Sequence, residues 1–129
     1  MDRKKEWTGG KPKMKALSIK EPWISMIANG EKTIETRTWY APTFLYNQSF
    51  LLVGSQKPAG EFAGMAACVA TLADCRIMRS SDEDAACCEV YPRAISWVLK
   101  DIQKVMPFPV KGKLCVYGVD LSQIKLILL

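Results

Sequence analysis

The segment "GEKTIETRTW" (30–39) places one carboxylate, Glu35, between two cations, Lys32 and Arg37. Read as a strand, it turns Thr33, Glu35, Arg37 and Trp39 one way and Ile34, Thr36 and Thr38 the other, because side chains alternate along a strand. Ile34 alone makes a weak apolar face, so the face of Glu35, Arg37 and Trp39 is the more enclosed one. An enclosed carboxylate beside a guanidinium keeps both groups charged and fixes their orientation. Lys32, just after Gly30, supplies a second cation that can swing over the same place. The group can be a site, or it can be an ordinary structural or solvated ion pair. The pattern alone leaves both readings open.

The elements that must position these residues follow from the flanking sequence. "KALSI" (15–19) is a short strand candidate. In "EPWISMIANG", Pro22 stands near a helix start, Trp23, Met26 and Ile27 have helical spacing, and Gly30 is the stop. "TIETRTW" (33–39) is a strand by its threonines and alternation, and "FLLVGS" (50–55) is another, after the loop "APTFLYNQS". "GMAACVATLADC" (64–75) reads best as a long strand, although its alanines also suit a helix. "SSDEDAACCEVY" opens with a good cap and an acidic first turn, as a short helix does. "AISWVLK" (94–100) and "KLCVYGVD" (113–120) are strands around the loop "VMPFPVKG". One or two helices among five or six short strands predict a small α+β barrel with helical lids.

Whole-chain properties narrow the functional classes. At 129 residues, with 49% apolar and 24% charged residues, the chain suits one globular domain. The net charge of +5 is concentrated at the start. Residues 1–15 hold six basic and two acidic groups, or +4, and the other 114 hold 12 basic and 11 acidic, or +1. Residues 1–14 therefore read as a flexible basic leader and 15–129 as a single domain, and global charge alone is no case for RNA binding. No apolar run approaches the ~20 residues that cross a bilayer, and the start lacks the apolar stretch of a signal peptide, so a cytoplasmic location is expected. There is no histidine, which removes Ser–His and Cys–His catalysis. The five cysteines form no CxxC pair and their odd count argues against a closed disulfide framework, so neither a metal nor a cofactor is expected.

Gly30-x-Lys32-x-x-Glu35-x-Arg37 matches the GxKxxExR signature of the ASCH domain, and the chain resembles that family, in the PUA-like superfamily, over roughly residues 15–120. "ALSIKEPWISMIANGEKTIETRTW" looks like its opening strand, Pro-Trp helix and signature strand. "LLVGSQK", "GMAACVATLADC", "AISWVL" and "FPVKGKLCVYGV" resemble the segments that follow, in the same order. The resemblance implies a barrel of five or six mostly antiparallel strands with one to three helices flanking a cleft, and RNA, a nucleoside or a nucleotide as the partner in that cleft. Lys32 and Arg37 would then meet phosphate or base acceptors, Glu35 would accept from an exocyclic amine, and Trp23 or Trp39 would stack a base or pack in the core. Lys20, Gly30, Ser55 and Lys57 complete the expected binding set. One branch of the family hydrolyses the amide of N4-acetylcytidine, using the motif lysine to assist a threonine three residues later. Lys32 matches that lysine, but Glu35 stands at the threonine's position, so the nucleophile of that branch is missing. A water activated by Glu35 with Lys32 as acid is the catalytic alternative, as amidohydrolase or ribonuclease. A non-catalytic interaction domain with a purely structural motif is the remaining one.

Overall fold

Pro22 and Gly30 bracket the first helix, and the apolar runs around them become strands. The computed structural model describes residues 12–127. Its elements are β1 (Lys13–Ile19), α1 (Trp23–Ala28), β2 (Ile34–Arg37), β3 (Ser49–Gly54), β4 (Ala66–Ile77), α2 (Glu83–Ala86), β5 (Ile95–Lys104) and β6 (Val116–Asp120). Short 3-10 turns at Thr43–Leu45, Ser80–Asp82 and Leu121–Gln123 join them. The first strand starts two residues ahead of the one expected at 15–19, and the leader up to residue 11 lies outside the described residues. Gly30 ends the helix as expected: its φ of +84° suits glycine, and its N–H reaches the Ile27 carbonyl at 3.0 Å. The signature strand is shorter than expected, because the chain bends at Thr38 and Trp39.

The six strands form one sheet in the order β2-β5-β4-β3-β1-β6. β1 and β3 are parallel, joined through α1 and β2, and every other pair is antiparallel. The fold is thus the α+β class expected, mixed and mostly antiparallel. Register shifts along the long β4–β5 pair, at Val69/Thr71 and Leu72/Asp74, bend those strands. Among the described residues no backbone ladder joins the outer strands β2 and β6, so the sheet is not closed by hydrogen bonds.

Each face of the sheet has its own core. Leu17, Ile19, Phe50, Leu52, Leu72, Trp97 and Leu99 pack with Ile24 and Ile27 of α1. Ala16, Leu51, Val53, Ala66, Val105, Tyr117 and Val119 make a second cluster under Phe108, Val110 and Ile124. Ile34 joins Met78, Ala86 and Ala94 in a third, which gives the far face of β2 its apolar partners and leaves Glu35 facing the other way. Of the two faces, burial decides for both: Ile34 and Glu35 are each under one-tenth exposed.

Candidate functional site

After Gly30, the N–H groups of Glu31 and Lys32 both point to the Met26 carbonyl, at 2.9 and 3.2 Å. This turn sends the Lys32 side chain inward. Lys32 is only 2% exposed, its Nζ donates to the Ala86 carbonyl at the end of α2, and it lies 5.1 Å from the centroid of the Trp23 ring. Glu35 Oε1 is 3.7 Å from the same nitrogen, and Glu35 Oε2 is 3.1 Å from Arg37 NH2. Arg37 NH2 also donates to the Ser18 carbonyl of β1 at 2.7 Å, while its Nε is buried without an acceptor among the described residues. A carboxylate with a cation on each side, an aromatic face and two carbonyls together compensate the desolvation of these charges. The chain of contacts runs from α2 through β2 to β1, and Arg37 ties β2 to β1 where no ladder does.

This corrects one sequence expectation. Lys32 is not a rim cation that swings over a cleft; it is held inside by Ala86, Glu35 and Trp23. The sequence has no signal for this, because a lysine is almost never fully buried unless it finds such partners.

Arg37, still about a quarter exposed, forms part of the wall of a cavity of about 520 Å³. Leu17 and Ser18 of β1, Gly54, Ser55 and Gln56 at and just after the end of β3, and the loop Val110–Cys115 form the rest. That size lies within the roughly 300–1,000 Å³ of small-molecule sites. Its wall residues carry three cations, Arg37, Lys111 and Lys113, and no carboxylate. Ser18 Oγ shares a hydrogen bond of 2.7 Å with the Tyr117 hydroxyl, and burial pushes that phenol up although Ser18 opposes the shift. Gly112 lies so close to β1 that a Cβ there would stand 2.9 Å from Ser18 Oγ. A second hollow, of about 800 Å³, lies elsewhere, between the end of α1 and β5; it mixes Asp101 with Lys104 and contains none of the motif residues.

Glu21 joins two elements outside the cavity wall. Its buried carboxylate accepts from Ser25 N–H (3.1 Å), Ser25 Oγ (2.8 Å) and Phe62 N–H (3.0 Å), fastening the loop after β3 to the start of α1. Burial alone would raise its pKa; the Phe62 N–H and the two Ser25 donors outweigh burial and hold it below the usual glutamate range.

The expected binding set is therefore divided. Arg37 and Ser55 line the cavity, and Lys32 and Glu35 sit behind Arg37. Trp23 lies under Lys32, and Trp39 packs edge-on against Trp97 at 4.9 Å while its carbonyl accepts from the Trp97 indole. Gly30 serves the turn. Lys20 and Lys57 are exposed and form no part of the cavity wall. Sequence reasoning missed Ser18, Lys111, Gly112, Lys113 and Tyr117; the only signal was a glycine between two lysines in a loop. Among the described residues no cluster of cysteine and acidic side chains is placed to hold a metal, and no helix is long and apolar enough to cross a membrane.

A six-stranded sheet of the α+β class, carrying a Lys-Glu-Arg signature with its lysine and glutamate buried beside a cavity, defines a small PUA-like domain. The family model of the ASCH domain matches residues 17–109, and the chain belongs to that family. Among solved structures, the chain is similar to the ASCH protein from Zymomonas mobilis at 13% identity and a TM-score of 0.65, over 84% of this chain and 89% of that one. A tyrosine-to-phenylalanine variant of the Zymomonas mobilis protein matches at 12% and 0.61, over 84% of this chain and 91% of that one. Its serine-to-alanine variant matches at 12% and 0.61, over 84% and 89%. At these identities the likeness is one of fold. A comparison with curated proteins finds no match.

Proposed function

We propose that this ASCH domain binds RNA, a nucleoside or a nucleotide in the cavity beside Arg37. The observation that carries the proposal is the cavity wall itself: an oriented guanidinium, two further cations and Ser18, whose hydroxyl is hydrogen-bonded to Tyr117, with no carboxylate among the described wall residues. Glu35 and Ser18 hold the guanidinium in place, so little conformational entropy remains to be lost when a ligand arrives. Such a wall offers donors to phosphate and to base or sugar oxygens. RNA binding is the general association of the ASCH family, and it agrees with this chemistry. Five free cysteines support a reducing compartment, hence the cytoplasm, as the place of action.

The arrangement favours binding over amide or phosphodiester hydrolysis. The Lys32 ammonium is committed to Ala86 and Glu35, and both charged groups lie behind Arg37 rather than on the cavity wall. The test is a titration of fluorescent single-stranded RNA, ribonucleosides and N4-acetylcytidine, with product analysis after long incubation. Saturable binding is expected, weakened about tenfold by Arg37→Lys, since a lysine cannot reproduce a fork-like contact. Deacetylation of N4-acetylcytidine by the wild type, lost in Lys32→Met, would overturn the binding-only reading.

A further inference from the structure

Resting on the reading that the cavity holds a nucleoside or nucleotide, we propose that it contains a phosphate subsite, formed by Arg37 with Lys111 and Lys113 of the loop before β6. The subsite makes phosphorylated ligands the preferred class. The argument starts from charge. Glu35 is already neutralised by Lys32, so the buried motif presents the net positive charge of Arg37 to the cavity. Lys111 and Lys113 add two more cations to the wall, and among the described residues no acidic side chain lines the space to offset them. A cavity with one sign of charge and low-dielectric walls concentrates counter-ions of the other sign.

The loop that brings these lysines is anchored on the sheet. Phe108 O accepts from Ala66 N at 2.9 Å, Val110 N donates to Gly64 O at 3.0 Å, and Pro109 bridges to Met65. Gly112 then lies close to β1, where an added Cβ would stand 2.9 Å from Ser18 Oγ. Lys111 and Lys113 thus flank a backbone position close to β1, and both are exposed. Among the described residues no aromatic ring lines the cavity: Trp23 is taken by Lys32 and Trp39 by Trp97. Without stacking, charge and hydrogen bonding carry the selectivity, and a neutral nucleoside uses only part of what the wall offers. Leu114, 92% exposed at the rim, is the apolar surface left for a base or sugar to lean on.

The phosphate can be the monoester of a free nucleotide or a diester within RNA, and the experiment separates the two. Calorimetric titrations would compare the four common ribonucleosides and N4-acetylcytidine, each with and without a 5′-phosphate, with a short single-stranded oligoribonucleotide and inorganic phosphate. Wild type and Lys111→Ala/Lys113→Ala are measured side by side. The expected result is at least tenfold tighter binding of a phosphorylated form than of its nucleoside, a preference that the double variant removes by weakening the phosphorylated forms far more than the nucleosides. Preference for the mononucleotides identifies the monoester as the ligand, and preference for the oligomer identifies the diester. Equal affinity for nucleoside and nucleotide, unaffected by the double variant, overturns the phosphate subsite and leaves the cavity reading standing. Absence of binding by every probe overturns both.

Discussion

Lys32 shows how far one residue's role depends on what surrounds it. A lysine on a cleft rim loses almost nothing when truncated, whereas this one has its ammonium inside, on the Ala86 carbonyl and beside Glu35. Lys32→Ala removes the cation, empties the space over Trp23 and leaves a buried carbonyl without its donor, while Arg37 still attends Glu35. The expected loss is about 2–4 kcal/mol, read as a lower urea midpoint at unchanged slope. The same substitution in a Glu35→Gln background should cost less by about 1 kcal/mol or more, because the two charges no longer need each other. Strict additivity of the two changes would show that the 3.7 Å pair contributes nothing in solution. Cys68 is a simpler case. Burial pushes its thiol up to about 12, so at pH 8 only about one molecule in ten thousand carries the thiolate. Iodoacetamide should leave Cys68 intact in the native protein and modify the exposed Cys115, which lines the cavity. A bound ligand should slow the Cys115 reaction. Modification of Cys68 at a rate like that of Cys115 would contradict the buried β4 core.

Two carboxylates staple elements to one another, and both make stability depend on acid. Glu21 joins α1 to the loop after β3, and Asp82 accepts from Arg76 at 2.7 Å, Ser96 at 3.0 Å and Arg79 N–H at 3.1 Å, joining the turn before α2 to β4 and β5. For Asp82 too, burial raises the pKa, and the Arg79 N–H, Ser96 and Arg76 bring it below the usual value. A carboxylate with a depressed folded pKa stabilises the fold above its unfolded pKa, and the contribution disappears as pH falls through the folded one. Stability should therefore be level near neutrality and fall below about pH 4. Glu21→Gln should be less stable at pH 7 and show a shallower acid decline; an unchanged decline would remove Glu21 from the account. Much of this element scheme was legible beforehand. Pro22 and Gly30 mark α1, threonines and alternation mark β2, and the acidic run marks α2. The cavity was not, because its facing wall is a loop without periodicity. Nothing local in Lys111-Gly112-Lys113 says that Gly112 will lie on Ser18, since that contact joins positions distant in the chain. The extension of β5 to Lys104 was hidden for a related reason: its outer half carries the charges Lys100 and Asp101, and Asp101 takes a φ of +52°.

At the scale of the whole molecule, two sources of positive charge are separable. One is the cavity with Arg37, Lys111 and Lys113. The other is the leader: residues 1–11 hold Arg3, Lys4, Lys5 and Lys11 against Asp2 and Glu6, or +2 of the chain's +5. β1 begins at Lys13, which pairs with Asp120 of β6, and Pro12 O accepts from Leu121 N at 2.9 Å, so a clean deletion stops at residue 11. Removing residues 1–11 should leave the melting temperature nearly unchanged, because that stretch is mostly charged residues and glycine, with Met1 and Trp7 its only large apolar side chains. Its effect on RNA should instead appear in salt dependence. Affinity for single strands falls with salt in proportion to the phosphates neutralised, with a slope of about −0.7 per contact in logarithmic terms. If the leader lies along the strand, deletion should flatten the slope by up to about 2–3, reflecting four basic groups incompletely engaged. Affinity for a mononucleotide, which reaches only the cavity, should not change. Lys111→Ala/Lys113→Ala should do the reverse, weakening mononucleotide and oligomer alike while the leader's share of the salt slope persists. Loss of mononucleotide binding on deleting residues 1–11 would place the leader at the cavity itself and end the separation of the two.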